Sequence, residues 1–377
     1  MTNDSTTRHR IARVDIFPVE VPRHGSFDLQ RGRTPRTSPF TVVRVTTDQG
    51  VVGWGEGDTQ VRSLFTVARD HLADALVGDD AFNFTALHAK MDAIEMMVTE
   101  RLGHWNCVRC AIDIALHDAM GRALNVPVYQ LLGGKQRDSF EIVKNIGVSD
   151  SKTSAEIALR CTQDGYRNIK MRVGGNHSVD VARIRAVREA VGPDISIRID
   201  ANQAWTPKQA IQRIQDFEAY GIDSVEQPCK FWDLEGGAQV VRTVRTSIIA
   251  DEGFWSANDA RLLLQARAAD TLHVYLGKCG GLRESMRIAS LAQTFDADIS
   301  VGERVPLGIS EAAHAHYAAA LSNAHFPAAL AYDLNEHDLL CKPVRKEGGT
   351  MYVPEGPGLG IEVDEDALRH YAMKGAE

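Results

Sequence analysis

The sequence predicts an α/β protein in which a small N-terminal α+β unit precedes a parallel β/α barrel. Between residues 168 and 281, short β-branched runs alternate with helical patterns, and the repeat of about 25 to 30 residues matches one βα unit. Before residue 134 the order differs, because three strand patterns are followed by three helical patterns, which is typical of an α+β domain. The length of 377 residues fits a barrel of about 250 residues with a smaller partner.

The composition is that of a globular protein with an acidic surface. Hydrophobic residues make up 44% and charged residues 24% of the chain, and the net charge is −8 with a pI near 5.9. These values argue against binding to nucleic acid or to an anionic membrane. The polar N-terminus lacks the apolar core of a signal peptide, and no run of apolar residues is long enough to span a membrane. We therefore expect a cytoplasmic protein.

The cysteines favour a reduced protein without a thiol-based site. The six cysteines are scattered, and Cys107 and Cys110 form the single CxxC pair of the sequence. Because this pair falls within a helical pattern, we predict buried thiols rather than a metal or redox pair.

The N-terminal unit begins with a strand pattern at residues 11–22, and two further strand patterns flank a turn at residues 48–50. Residues 22–38 lie between the first two strands and are rich in Gly, Pro and Arg. This segment is either a solvated connection or a lid over an anionic substrate, in which case Arg33 and Arg36 would contact the substrate. The sequence leaves both open.

Helical periodicity follows from about Ser63 to Leu132, where apolar residues recur at positions i, i+3 and i+4. Pro and Gly then interrupt the pattern near Gly134. We therefore predict a capping unit at residues 1–134, a barrel at residues 135–350, and a C-terminal segment at residues 351–377 that runs back against the capping unit.

Three acidic residues stand at the ends of successive predicted barrel strands, namely Asp200, Glu226 and Asp251. The carboxyl ends of barrel strands meet at one face, so these side chains are expected to converge. Each acid alone could be a solvated residue or a helix cap, but a cap does not explain three residues in phase. Carboxylate oxygens are the preferred ligands of Mg²⁺, and no His or Cys accompanies them, which disfavours zinc. The spacing predicts one Mg²⁺ site that leaves positions for a substrate carboxylate.

Lys170 and Arg172 lie two residues apart and therefore point to the same side of their strand. Beside a metal, these cations could polarise a bound carboxylate, and a basic group could remove the proton from the adjacent carbon. For Lys170 alone, an ion pair with one of the three acids is the alternative.

The motifs together resemble the mandelate racemase/muconate lactonizing enzyme family of the enolase superfamily, over nearly the whole chain. The resemblance lies in AIDIALHDAMGRALNVPVYQLLGGKQRD, IDANQAW, VEQP, ADEG, KCGGL and GPGLGIEVDED. It implies an N-terminal α+β capping domain, a modified TIM barrel of the (β/α)₇β type, and one essential Mg²⁺ held by Asp200, Glu226 and Asp251. It also implies that cap loops near residues 24–38 and 55–62 choose the substrate, and that the chain forms a homo-oligomer.

Four positions depart from the family pattern. The usual Lys-x-Lys of the second strand ends here in Arg172, and Tyr275 replaces the sixth-strand Lys or Asp of relatives. The seventh strand has Glu303 and no His, and the Asp-x-Asp of dipeptide epimerases reads Asp333-Leu-Asn335. These departures argue against dipeptide epimerisation and mandelate-type racemisation.

The resulting expectation is an enzyme that removes the proton α to a carboxylate. Arg172 is a poor base because guanidinium stays protonated, whereas Tyr275 could serve as an acid. β-Elimination can run from one face of the substrate, so a hydroxy-acid or sugar-acid dehydratase is the first expectation. A racemase, epimerase or cycloisomerase is the first alternative. A non-catalytic protein that binds metal and carboxylate is the second alternative. The candidate catalytic residues are Lys170, Arg172, Tyr275, Lys278 and Glu303, and the candidate substrate-binding residues are Asn202, Asp333, Asn335, Arg33 and Arg36.

Overall fold

The structure is a computed structural model that describes residues 8–24, 28–29, 32–33, 36–58, 61, 63–331 and 334–374. Asp333 lies outside the described residues, and so does the side chain of Arg33. No helix in the described ranges is long and apolar enough to cross a membrane.

The N-terminal part contains an antiparallel sheet whose strands follow the order β1–β4–β5, with a two-stranded ribbon of β2 and β3 inserted after β1. The strands are β1 (Ile11–Pro22), β2 (Asp28–Leu29), β3 (Gly32–Arg33), β4 (Thr37–Thr47) and β5 (Val52–Asp58). The predicted strand at residues 11–22 and the hairpin around residues 48–50 are therefore confirmed.

Helices pack on this sheet in the predicted region of helical periodicity. They are α1 (Leu64–Val67), α2 (Asp74–Leu76), α3 (Phe84–Thr99), α4 (Asn106–Leu124) and α5 (Val128–Leu131). A π-helical segment, Ala68–Ala73, separates α1 from α2, which the helical periodicity did not predict. Strand β5 lies directly against α4, because a Cβ atom built on Gly55 would meet the main-chain oxygen of Ala111 at 1.9 Å. Glycine is thus required at this close approach of two backbones.

The second part is a barrel of parallel strands that run in chain order from β6 to β12, with β13 beside β6. A parallel bridge between Gly302 and Ala329 joins the end of β12 to β13 and closes the ring. The strands are β6 (Ser139–Ile146), β7 (Asn168–Arg172), β8 (Ser196–Asp200), β9 (Ser224–Glu226), β10 (Ser247–Ala250), β11 (Thr271–Val274), β12 (Asp298–Val301) and β13 (Ala328–Ala331).

Helices connect these strands on the outside of the ring. They are α6 (Ser151–Gln163), α7 (His177–Val191), α8 (Pro207–Glu218), α9 (Leu234–Thr243), α10 (Ala257–Ala266), α11 (Leu276–Cys279), α12 (Leu282–Thr294) and α13 (Gly308–Ala320). Seven βα units followed by β13 make the (β/α)₇β barrel that the resemblance implied, which confirms the expected fold class.

The C-terminal residues contact both parts. Strands β14 (Lys346–Glu347) and β15 (Thr350–Tyr352) form a hairpin, and β15 pairs antiparallel with the start of β6. After α14 (Glu365–His370), the amide of Met373 donates a 2.9 Å hydrogen bond to the oxygen of Pro18 in β1. The division into the three predicted segments stays a prediction.

Side chains of the N-terminal part satisfy main-chain amides of the barrel. The carboxylate of Glu56, in β5, accepts hydrogen bonds from the amides of Leu307 and Ser310 at 2.8 and 2.9 Å, where α13 begins. The carboxylate of Asp113, in α4, accepts from the amide of Leu282 at 2.6 Å, where α12 begins. The first amides of a helix have no partner within the helix, so these acids complete the two helix starts.

Candidate active site

The three acidic residues of the sequence pattern stand at one end of the barrel. Asp200 is the last residue of β8, Glu226 is the last residue of β9, and Asp251 directly follows β10. Lys170 and Arg172 lie on β7, where Arg172 is in register with Asp200. Asp200 is in register with Glu226. Parallel strands in register place these side chains side by side at the carboxyl end of the ring.

Lys170 bridges two of the carboxylates. Its Nζ atom lies 2.6 Å from Glu226 Oε1 and 3.0 Å from Asp200 Oδ2. Arg172 Nη1 also contacts Asp200 Oδ2, and Arg198 Nη1 lies 3.5 Å from Glu226 Oε2. Burial would raise the pKa of Glu226, but the positive charges of Lys170, Arg198 and Arg172 together outweigh it and hold that pKa below its usual value. The carboxylate is therefore ionised and ready to bind a cation.

Lys278 holds the third carboxylate. Its Nζ atom donates to the main-chain oxygen and to Oδ1 of Asp251 at 2.5 and 3.1 Å, and to the oxygen of His273 at 2.8 Å. All three ammonium protons are thus used, and the ammonium lies 3.9 Å from the centre of the Phe254 ring. Lys278 lies on the short helix α11. In this arrangement Lys278 orients Asp251 and has no lone pair with which to accept a proton.

The donor types at this site fit Mg²⁺. The three carboxylates offer only oxygen, and Glu226 Oε2 is buried without a hydrogen-bond partner among the described residues. In their present positions, no three His, Cys, Asp or Glu side chains of the described residues are grouped to hold a metal ion. The ammonium groups of Lys170 and Lys278 occupy the oxygens that would bind the metal. Asp200, Glu226 and Asp251 are therefore the candidate Mg²⁺ ligands, and the metal would have to displace those ammonium groups from the carboxylate oxygens.

Tyr275 caps the start of α11, and its ring centre lies 4.5 Å from Lys278 Nζ. The side chain is 6% exposed. Burial, reinforced by the negative charge of Asp251, raises the pKa of Tyr275 well above its usual value. The phenol therefore keeps its proton at neutral pH and can donate it.

Glu303 lies behind α11. It is 3% exposed and accepts a 2.9 Å hydrogen bond from the amide of Arg304. His314 Nε2 lies 3.5 Å from Glu303 Oε2. This nitrogen, however, accepts a hydrogen bond from the amide of Leu276 at 3.0 Å. Its Nδ1 donates to the oxygen of Ser310 at 2.7 Å, so the imidazole is neutral, and burial lowers its pKa to about 4. Glu303 and His314 therefore do not form a charged pair.

The candidate substrate-binding residues have different surroundings. Asn202 Oδ1 accepts a 2.9 Å hydrogen bond from Arg172 beside the carboxylates. The Asn335 amide donates to the oxygen of Pro306 at 3.0 Å and accepts from Ser38 at 3.3 Å. It thus joins the loop after β13 to the N-terminal sheet. Arg36 is exposed.

Two residues at the site were not predicted from the sequence. Asn106, the first residue of α4, donates hydrogen bonds from Nδ2 to the main-chain oxygens of Lys278 at 2.6 Å and of Trp255 at 2.9 Å. The guanidinium carbon of Arg304 lies 5.7 Å from the centre of the Tyr275 ring. A lone Asn at a helix start and an Arg in a loop give no sequence signal for these roles.

The prediction of buried thiols at the CxxC pair is confirmed for Cys110, whereas Cys107 is partly exposed. All six cysteines are free. Burial raises the pKa of Cys107 to about 12, so this thiol is unreactive at neutral pH.

Family models match both parts of the chain. The model of the mandelate racemase/muconate lactonizing enzyme N-terminal domain matches residues 11–133, and that of the enolase C-terminal domain-like family matches residues 153–367. The chain belongs to the mandelate racemase/muconate lactonizing enzyme family. The family predicted from the motifs is thereby confirmed, and so is the prediction of an enzyme of the enolase superfamily.

Characterised relatives of the family are similar over most of their length. The N-succinyl-L-Arg/Lys racemase of Bacillus cereus is 31% identical over an alignment that covers 97% of this chain and 98% of the relative. Its crystal structure has a TM-score of 0.90 at 30% identity and covers 97% of this chain and 98% of that chain. The hydrophobic dipeptide epimerase of Enterococcus faecalis is 34% identical over 81% of this chain and 86% of the relative. Muconate cycloisomerase 1 of Rhodococcus opacus is 30% identical over 88% of this chain and 90% of the relative.

These relatives change the order of the expected activities. They are epimerases, racemases and cycloisomerases, and they support the isomerase alternative. The dehydratase reading, which the sequence put first, has no support among them. A dipeptide complex of the Enterococcus faecalis epimerase contains Mg, which makes Mg²⁺ the plausible metal for this family member as well.

Proposed function

We propose that this protein is a Mg²⁺-dependent racemase or epimerase that inverts the carbon α to the carboxylate of a small acid. The position of two proton-carrying groups on opposite sides of the carboxylates supports this proposal most strongly. Lys170 lies on β7, and Tyr275 directly follows β11. In the ring of eight parallel strands β6 to β13 within the described residues, β7 and β11 are four strands apart. A substrate carbon above the carboxylates therefore has Lys170 on one side and Tyr275 on the other.

This opposition favours inversion over elimination. Inversion needs one group that removes the proton from one face and another that returns a proton to the opposite face. Elimination can use a single face. The dehydratase expectation came from the altered residues Arg172 and Tyr275, but the buried phenol of Tyr275 retains a proton and can deliver it.

The roles follow from the contacts. The unprotonated amine of Lys170 would be the base once Mg²⁺ occupies the carboxylates that its ammonium contacts in this structure. Arg172 is unsuited, since its guanidinium stays protonated and binds Asp200 and Asn202. Tyr275 is the proposed acid on the opposite face. Lys278 orients Asp251, and its ammonium group makes a cation–π contact with the Tyr275 ring. Bound Mg²⁺ would stabilise the negative charge that develops on the substrate carboxylate.

The proposed substrates are N-acyl amino acids and dipeptides. Relatives that cover most of this chain are an N-succinyl amino acid racemase and a dipeptide epimerase. Both kinds of substrate have a carboxylate next to an acidified C–H bond. Cycloisomerisation, the activity of the Rhodococcus opacus relative, would need a substrate with a double bond, and no residue described here favours it.

The test is hydrogen exchange in D₂O. The protein is incubated with Mg²⁺ and a panel of N-acyl amino acids and dipeptides, and loss of the α-proton signal is followed by NMR together with optical rotation. We expect exchange with loss of rotation for at least one compound. Lys170→Met should lower the rate by about 10²- to 10⁴-fold, the usual range for a general base. Lys152→Met is the matched control, because this lysine is 87% exposed in its ion pair on α6.

Two results would overturn the proposal. The first is absence of α-proton exchange across the panel by protein that binds Mg²⁺ in calorimetry. The second is formation of a 2-keto acid, detected with semicarbazide, from a panel of hydroxy acids, which would show elimination instead.

A further inference from the structure

We infer that Arg304 forms a second anion-binding subsite, which takes a carboxylate at the end of the substrate distant from the reacting carbon. This inference rests on the proposed function, because it assumes that the reacting carboxylate lies at Asp200, Glu226 and Asp251. Neither the family models nor the motifs in the sequence assign a role to this arginine.

Arg304 lies next to the reacting end of the barrel. It follows β12, in the loop that leads to α13, and it is only partly exposed. Its guanidinium carbon lies 5.7 Å from the centre of the Tyr275 ring, and Lys278 Nζ lies 4.5 Å from the same centre. The guanidinium of Arg304 and the ammonium that holds Asp251 are therefore no more than about 10 Å apart.

The guanidinium donors are available. Within the described part of the chain, the Arg304 side chain has no hydrogen bond and no ion pair within 4.0 Å. Although burial lowers the pKa of Arg304, nearby acidic groups that include Asp58 and Glu303 raise it above its usual value, so the charge is maintained. A half-buried guanidinium whose N–H groups lack partners is costly to desolvate, so a ligand that pairs with it gains both charge and hydrogen bonds.

The surroundings select the charge of the ligand. A guanidinium binds a carboxylate or a phosphate through two parallel N–H bonds. The acidic side chains of Asp58 and Glu303 lie close enough to influence Arg304, and they would repel a dianion more strongly than a monoanion. We therefore assign the subsite to a carboxylate.

The spacing limits the length of the ligand. An extended chain covers about 3.3 to 3.6 Å per residue. Because Arg304 lies no more than about 10 Å from Lys278 Nζ, a ligand of at most about three residue lengths spans the two groups. An N-acyl amino acid whose acyl chain ends in a carboxylate has this reach, and so does a dipeptide whose first residue is acidic. A neutral acyl group of equal length would leave the donors of Arg304 without partners.

The test compares two substrates that differ by one carboxylate. N-Succinyl and N-butyryl derivatives of the same amino acid have acyl chains of equal carbon count. In α-proton exchange with Mg²⁺, we expect the wild type to prefer the succinyl compound. Arg304→Gln should raise KM for this compound by about 10- to 100-fold, the equivalent of one charged hydrogen-bonded pair, and leave kcat within about twofold. Kinetics with the butyryl compound should stay unchanged.

Two further variants separate the subsite from a general effect. Arg304→Lys keeps the charge without the two-pronged geometry and should recover only part of the loss. Arg185→Gln is the matched control, because this arginine is 60% exposed on α7. Thermal unfolding of each variant checks that the fold is intact. Equal KM values for both substrates in the wild type, or no change in KM in a folded Arg304→Gln variant, would overturn the inference.

The inference can be tested even if the proposed function fails. If neither compound exchanges its α-proton, binding of N-succinylglycine and N-butyrylglycine is measured by calorimetry in the presence of Mg²⁺. Tighter binding of the succinyl compound to the wild type, lost in Arg304→Gln, would support the subsite without the reaction. Equal binding of both compounds would contradict it.

Discussion

Asn106 of the N-terminal part donates a 2.6 Å hydrogen bond to the main-chain oxygen of Lys278 in the barrel. The same Nδ2 atom donates to the oxygen of Trp255, which lies in the loop after β10. One amide group thus fixes both the turn that positions Lys278 and the loop that follows Asp251. The position of the Asp251 carboxylate depends on this contact between two distant parts of the chain.

Asn106→Ala should therefore reduce activity beyond its effect on stability. Loss of a buried donor leaves two carbonyls without their partner, which should lower the free energy of unfolding by about 1 to 3 kcal/mol in urea titrations. Asn323→Ala is the matched control, because Asn323 Nδ2 also donates to two main-chain oxygens, those of Ala289 and Ala297, away from the acidic residues. Both variants should lose similar stability, but only Asn106→Ala should lose α-proton exchange. Equal activities would show that Asn106 does not position the site.

Asp200→Asn should weaken Mg²⁺ binding by at least about tenfold in calorimetry. The substitution removes the negative charge that a hard cation prefers and that Lys170 and Arg172 now contact. Asp194→Asn, on an exposed turn before β8, should leave the affinity unchanged. A Mg²⁺ affinity that Asp200→Asn does not alter would mean that the metal binds elsewhere.

The stability of the protein should depend on the ionisation of Glu56. Burial raises the pKa of Glu56 to about 8, although the amides of Ser310 and Leu307 oppose this rise. The folded state then binds more protons than the unfolded state between the ordinary glutamate pKa and about 8. The contribution of Glu56 is therefore fully present below the ordinary pKa and is lost as the pH rises, by at most about 1.4 kcal/mol per pH unit.

Urea unfolding at pH 5, 6.5 and 8 tests this dependence. Glu56→Gln cannot ionise, so its free energy of unfolding should fall less steeply with pH than that of the wild type, apart from a constant offset for the lost hydrogen bond. Glu189→Gln, on the exposed face of α7, should retain the wild-type slope. Identical slopes for Glu56→Gln and the wild type would refute a raised pKa at this residue.

Tyr275→Phe should uncouple exchange from inversion. The phenylalanine ring can retain the cation–π contact with Lys278, but the proton donor on the β11 side is lost. We expect interconversion of the two enantiomers to fall by about 10²- to 10⁴-fold, the range for loss of a general acid. α-Proton exchange without inversion, through Lys170, should persist for one enantiomer. Unchanged racemisation would remove Tyr275 from the mechanism.

The control for this variant is Tyr317→Phe. Tyr317 is also buried, and its hydroxyl donates to the oxygen of Ser285 at 3.1 Å on the outer helices of the barrel. Its loss should affect stability but not the ratio of exchange to inversion.

The barrel and its acidic residues could be predicted from the sequence because both follow from a local repeat. Each βα unit repeats its strand pattern, so Asp200, Glu226 and Asp251 could be placed at strand ends without knowledge of distant contacts. The strand repeat did not predict the short helix on which Lys278 lies. The glycines that follow it, Gly280 and Gly281, have φ values of +87° and +114° and mark the end of a helix rather than of a strand.

Contacts between distant residues could not be predicted in this way. Glu56 and the amide that it binds at Leu307 are 251 residues apart, and no local pattern relates them. The contact of Arg304 could not be predicted either, because its position over the Tyr275 ring depends on how two neighbouring strand ends are arranged in three dimensions. The same limit explains why the sequence put the dehydratase before the racemase or epimerase. The sequence shows that Tyr275 departs from the family pattern, but its position across the ring from Lys170 follows only from barrel closure.

The acids by which the N-terminal part completes α12 and α13 have a consequence for recombination between relatives. A chimera that takes its capping unit from another family member keeps these helix starts satisfied only if the donor provides acceptors equivalent to Asp113 and Glu56. Without them, the barrel would gain buried amides that lack partners, whatever loops the new unit brings. Substrate loops can therefore be exchanged between family members most safely when the grafted segment stops short of these two anchoring residues.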